Sequence, residues 1–153
     1  MSKKQKISAL LMLVVLIVLG GFRDIVFVNI NEQIGFNDGL VDSNSVLDSF
    51  SFLKSYPTEK LLNLKWALTV LFAIAFFILS FISFKYILDD SQGARWMSIL
   101  YLAGVITSGV MYIGGKVLGD PLTGYTLSRV IMGALQSPFP LMLMIPARML
   151  VDR

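Results

Sequence analysis

The chain has no cysteine and no histidine. Disulfides, thiol chemistry, Cys/His zinc sites and His-ligated haem are excluded. So is any catalytic triad that uses histidine as its base. Acid–base chemistry would fall to Asp, Glu, Lys or Tyr. Charge is also scarce: 15% of residues carry it, and the formal balance is +3. That surplus flanks apolar runs and forms no basic stripe, so no nucleic-acid partner is expected. No catalytic constellation, cofactor site or metal site is visible, and no internal repeat or low-complexity tract.

What the chain does have is apolar length. Hydrophobic residues make up 56%, against about 45–50% in ordinary globular domains. A hydrocarbon core of about 30 Å takes about 20 helical residues at 1.5 Å each. Between Trp66 and Leu88 the only charge is Lys85, and Trp96–Gly115 carries none. Such runs are too long and too uniformly apolar for a small soluble core. The expected fold class is all-α: one polytopic membrane domain, a four-helix antiparallel bundle. Its transmembrane helices fall at about 7–30, 60–88, 96–115 and 125–150. The start has the basic and apolar regions of a signal peptide, but Gly20-Gly21 followed by Phe22-Arg23-Asp24 is a poor cleavage site. An uncleaved first helix is expected.

Lys and Arg near helix ends set orientation. With the N-terminus inside, the cytoplasmic side holds Lys3, Lys4, Lys6, Lys85, Arg95, Arg148 and Arg153, and the outer side Lys54, Lys60, Lys65 and Lys116, while Arg23 and Arg129 lie within or close to the membrane. This predicts a multi-pass protein of the bacterial inner membrane with both termini cytoplasmic. The connections are short at Asp89–Gly93 and around Gly119-Asp120-Pro121, a turn signal. The first connection, about 31–59, is long and would lie outside. In it Asn37-Asp38-Gly39 signals a turn, and Asn44 or Ser45 could cap a short amphipathic helix. Val46, Leu47, Phe50 and Leu53 form its apolar stripe, and the helix lies on the outer leaflet, across the bundle mouth, or packed against the protein's own helix ends. Thr58 is placed to cap the second helix.

The informative residues are the polar ones at membrane depth. Arg23 and Asp24 end sixteen apolar residues, and Arg129 starts the fourth helix at a comparable outer depth. Asp120 and Lys116 lie nearby. A charge at the bilayer centre costs about 2.5–3.5 kcal/mol on insertion scales, and less near the interface. The arginines can snorkel to headgroups. Alternatively Asp24 pairs with Arg129 and Arg23 reaches Asp120 or a partner, or the cluster holds a phospholipid headgroup or a carboxylate near Arg23 and Arg129.

In the fourth helix Pro138 and Pro140 remove backbone donors, which predicts a kink or break near mid-membrane. The carbonyls freed around 134–136 need partners, and Gln136 and Ser137 are placed to supply them. The break either packs the bundle or lines a site, as discontinuous helices do in transporters. On the third helix Gly104 and Ser108, and Ala103 and Thr107, follow the small-xxx-small packing pattern. The second helix carries a Phe-rich wall (Phe72, Phe76, Phe77, Phe81, Phe84) expected to face lipid or a partner subunit.

The layout resembles the small four-helix proteins encoded beside exosortases in Bacteroidetes. The likeness lies in Arg23 closing the first helix, the longer outer loop, and a last helix with Arg129, Gln136, Pro138, Leu141–Ile145 and Pro146-Ala147. The Arg129-to-Gln136 spacing departs from that pattern, and the family has no assigned activity to carry over. Gly114-Gly115 through Asp120 is similar to the third-helix end of lipoprotein signal peptidases. Their chemistry needs two facing aspartates, and the fourth helix here has none, so Asp24 would have to partner Asp120. The leading expectation is a non-enzymatic accessory or scaffold subunit bound to lipid and other integral membrane proteins. A small carrier or lipid- and anion-binding protein with an outer-leaflet polar pocket comes second, and an aspartate-dependent intramembrane hydrolase third.

Overall fold

The computed structural model describes residues 3–151. The side chains of Lys3, Lys6 and Arg148, and all of Arg153, which enter the charge comparison above, lie outside the described residues. Every regular element among the described residues is helical: α1 (Lys3–Asn37), a 3₁₀ helix (Asp48–Ser55), α2 (Thr58–Ile82), α3 (Ser91–Val117), α4 (Pro121–Leu135) and α5 (Phe139–Val151). A π-helical turn, Ser83–Ile87, continues α2. Among the described residues three spans are long and apolar enough to cross a bilayer: Ile7–Asn37, Thr58–Ile87 and Ser91–Val117. The pair α4 and α5, bent by 63°, makes a fourth if it counts as one span.

The helices outrun their apolar cores because their ends are capped. α1 continues past the expected end near Ile30 to Asn37. It closes where Leu40 N–H donates to Gly35 C=O (2.8 Å) and Gly39 N–H to Phe36 C=O (3.2 Å). Gly39 sits at φ +70°, the left-handed conformation this ending requires. Leu118–Asp120 repeats the design, with Gly119 at φ +81° and Asp120 N–H on Gly115 C=O. The Asp90 carboxylate accepts from Gly93 N–H at 2.8 Å. The turn expected over Asp89–Gly93 is therefore shorter, and Gln92 and Gly93 already belong to α3.

Two compact units divide the chain, Leu19–Phe72 and the remainder. In Leu19–Phe72 the core is Val26, Ile30, Leu53 and Leu61, flanked by Ile34, Phe50, Leu64 and Leu68. The segment expected to be a short amphipathic helix is a 3₁₀ helix over Asp48–Ser55, with a non-helical residue at Phe50. Val46 and Leu53 are buried and Phe50 is packed against the core, while Leu47 is exposed. Neither Asn44 nor Ser45 caps it: Leu47 is its N-terminal boundary, and Asn44 Oδ1 accepts from Val46 N–H two residues on, a local turn. Thr58 is likewise no acceptor for α2. Its hydroxyl donates to Asp38 at 2.9 Å, and Pro57 C=O receives the first helical bond from Leu61.

The other unit is centred on α3 against α4. Gly115 and Gly124 bring the two backbones together: a Cβ on Gly124 would lie 2.6 Å from Gly115 Cα and 2.7 Å from Met111 C=O. Ser108 Oγ meets Ser128 Oγ at 2.8 Å, and Gly104 makes room for Leu135. Of the two small-residue pairs expected on this helix, only Gly104/Ser108 is used for packing; Ala103 and Thr107 are exposed.

The Phe-rich wall corrects the expectation from sequence. Phe72, Phe76 and Phe84 are buried, and Phe77 and Phe81 half-buried. α2 exposes Trp66, Val70, Leu71, Ile74 and Ile78 instead. Hydropathy separates these faces poorly because both are apolar. Large rings go inside because they fill space and pair edge to face, as Phe77 does with Tyr101 at 5.3 Å.

Candidate functional site

Pro138 and Pro140 do break the last apolar run, between Leu135 and Phe139. Pro138 has no N–H for Ala134 C=O, so the Ser137 hydroxyl donates there at 2.7 Å. The same oxygen accepts from Phe139 N–H at 3.2 Å, capping α5. With Phe139 N–H turned away, Leu135 C=O takes the Tyr101 hydroxyl proton at 3.0 Å. Ser137 thus acts as sequence reasoning anticipated. Tyr101 was missed, because its role depends on α3 lying beside the break. Gln136 is 1% exposed and Pro140 is fully buried. The buried Ser80 hydroxyl lies beside Tyr101 without reaching hydrogen-bond geometry.

Tyr101→Phe keeps the ring contact with Phe77 and removes the donor. It should cost about 1–3 kcal/mol, the usual cost of stranding a buried polar group. Ser80→Ala removes a hydroxyl that has no partner and should be close to neutral. Denaturant titration of both variants in detergent decides this, and equal effects would refute it.

The expected charge cluster is placed as follows. Arg23 and Asp24 form an ion pair with each other at 2.7 Å. Their Cα–Cβ bonds diverge by about 100°, but the long arginine side chain curls back across that angle. The Arg23 guanidinium also lies 5.1 Å above the Phe27 ring, a cation–π contact. Asp120 caps α4, accepting from Thr123 N–H at 3.1 Å, with Pro121 as the first helical residue. Lys116 sits 4.6 Å above the Tyr112 ring. Arg129 is exposed on α4. Each of Asp24, Asp120 and Lys116 has a local engagement within its own element or its cap. Among the described residues no group of three or more acidic side chains is placed to hold a metal ion.

Hydrogen bonds from Thr123, through its side chain and its backbone, hold the Asp120 carboxyl below the usual carboxylate range. The folded state then favours the ionised form. Its contribution is present above the unfolded aspartate pKa and is lost as pH falls through the lower folded value. Asp120→Asn should flatten that part of the acid unfolding profile while leaving stability at neutral pH nearly unchanged, since Asn also caps well.

A second polar group, in Leu19–Phe72, had a signal that sequence reasoning overlooked. Asn29, Gln33 and Asn37 are spaced by four and share one helix face. Asn29 Oδ1 accepts from Leu47 N–H at 2.8 Å, and Asn29 Nδ2 returns to Ile25 C=O. Gln33 donates to Asn37 at 2.7 Å and accepts from Asn44 at 2.9 Å. Asn37 donates to Tyr56 C=O at 3.0 Å. This ladder of amides ties the first connection down along α1.

Comparison with protein-family models, with curated proteins and with solved structures finds no match for this chain.

Proposed function

We propose that the chain is a non-enzymatic accessory or scaffold subunit of a bacterial inner-membrane complex, spanning the bilayer four times as an antiparallel bundle with both termini cytoplasmic. The observation that carries this reading is the closure of the helix break by the protein's own groups. Ser137 and Tyr101 occupy the carbonyls of Ala134 and Leu135, so the bend serves to shape the bundle. The apolar faces of α1, α2 and α3 remain open to lipid and to other integral membrane proteins. The resemblance to the small four-helix proteins encoded beside exosortases is in keeping with this role.

The test is gentle extraction of the native membrane, isolation through a C-terminal tag, and mass spectrometry of the associated proteins. Larger membrane proteins in fixed stoichiometry are expected. Recovery of the chain alone and monodisperse would end the subunit reading. It would favour a carrier or lipid- and anion-binding role, for which the 63° bend and the exposed Arg129 speak. Arg129→Ala would then be the variant to assay. An aspartate-dependent hydrolase has less in its favour, because the Asp120 carboxylate is engaged as a helix cap.

A further inference from the structure

We infer that the first connection dips back to the membrane surface, and that Leu47 and Phe52 are inserted among the acyl chains at the boundary opposite the N-terminal end of α1. This rests on α1 and α2 crossing a bilayer. It does not depend on whether the chain is a subunit.

The depth comes from α1 itself. Asn29 lies about 33 Å beyond Ile7 at 1.5 Å per residue, and an average tilt of about 20° shortens this to about 31 Å. That is the thickness of the hydrocarbon core, about 30 Å. The first acid after Asp24 is Glu32, one turn higher. A second marker agrees. The Lys65 ammonium donates to Asn31 at 2.7 Å, and its neighbour Trp66 is exposed. Adjacent Lys and Trp are interfacial anchors. The level of Asn29–Asn31 is therefore the membrane–water boundary.

Leu47 is held at that level by its backbone, through the bond to Asn29 Oδ1. Asn29 itself is only 3% exposed. A buried amide at this depth explains itself if the loop backbone it satisfies is also at this depth, where water is scarce. The side chains agree. Val46 and Leu53 turn into the core, whereas Leu47 and Phe52 remain 54% and 55% exposed on the outside of the same segment. The connection thus has an inner apolar face that the protein covers and an outer one that it leaves bare. Residues 38–57 carry Asp38, Asp42 and Asp48 against Lys54. An anionic headgroup would be repelled, so the occupant is the apolar edge of the leaflet. Leu40 marks the upper limit: its N–H bonds Gly35 C=O, about 9 Å farther along the helix.

The experiment uses the full chain in phosphatidylcholine vesicles. With Trp66→Phe and Trp96→Phe as background, single tryptophans are placed by Leu47→Trp, Phe52→Trp and Leu40→Trp. Bromine-labelled phosphatidylcholine should quench the first two, with blue-shifted emission, and aqueous acrylamide the third. Because the chain has no cysteine, Phe52→Cys and Leu40→Cys give a second readout that replaces the first if a tryptophan variant misfolds. An impermeant maleimide should label Leu40→Cys readily and leave Phe52→Cys largely unlabelled until detergent is added. Acrylamide quenching and free labelling at 47 and 52 would place the segment in water. Protection from both bromolipid and acrylamide would mean that a protein surface covers it. Either result overturns the proposal.

Discussion

Gly124→Ala should be far more damaging than Gly104→Ala or Gly109→Ala, and Gly115→Ala about equally so. The added Cβ would lie 2.6 Å from Gly115 Cα and 2.7 Å from Met111 C=O, and at Gly115 the reciprocal distance to Gly124 Cα is 2.5 Å. These neighbours are backbone, and no rotamer change relieves them. α3 and α4 must separate, which also pulls apart the Ser108–Ser128 contact and loosens Leu135 from Gly104. Overpacking a tight core costs about 1–3 kcal/mol and sometimes more. With two backbones in collision, a loss of about 3 kcal/mol is expected. Gly104→Ala meets only the end of the Leu135 side chain, at 2.8–3.2 Å, and should cost about 1 kcal/mol because that side chain can move. Gly109→Ala has nothing within 4 Å and should gain some tenths of a kcal/mol from helix propensity, up to about 1. Unfolding in mixed micelles would read all three. A Gly124→Ala protein as stable as the parent would show that the backbones do not touch as described.

Asn29→Leu should release the first connection without disturbing the α3–α4 pair. Leucine is close in size and a good helix former, so propensity and packing change little at this buried position. What disappears is the acceptor for Leu47 N–H. A buried donor left without a partner costs about 1–3 kcal/mol, and the strain falls on a connection held by few other bonds. Hydrogen exchange should then show lost protection at Leu47 and around the 3₁₀ helix, with α3 and α4 unchanged. Asn31→Leu is the contrasting case. Asn31 only accepts from Lys65, whose flexible ammonium can turn to water or headgroups, so the loss should stay below about 1 kcal/mol. Equal effects from the two substitutions would remove the special role assigned to Asn29.

What could be read from the chain alone follows from the bilayer as solvent. A run of about 20 apolar residues must become a helix, because lipid offers no other partner for its backbone. The helical class, the apolar spans, the break at Pro138 and Pro140 and the Ser137 remedy were all legible for that reason. So was the exclusion of Cys and His chemistry. Helix ends were less so. Asn37 and Val117 lie beyond the hydrophobic stretches, where polar caps and glycines at positive φ decide the last turn. Which apolar face turns inward was not legible at all, since Phe76 and Ile74 have similar hydropathy and only ring packing distinguishes them. The glycine contact between α3 and α4 needed the tertiary structure too. Small residues permit close approach at Gly115 and Gly124 as much as at Gly109, and only the partner backbone shows which permission is used. The same holds for Tyr101 and Asn29. Each serves a backbone group far away in sequence, Leu135 C=O and Leu47 N–H, and such a need exists only once the fold has left that group without its own helical partner.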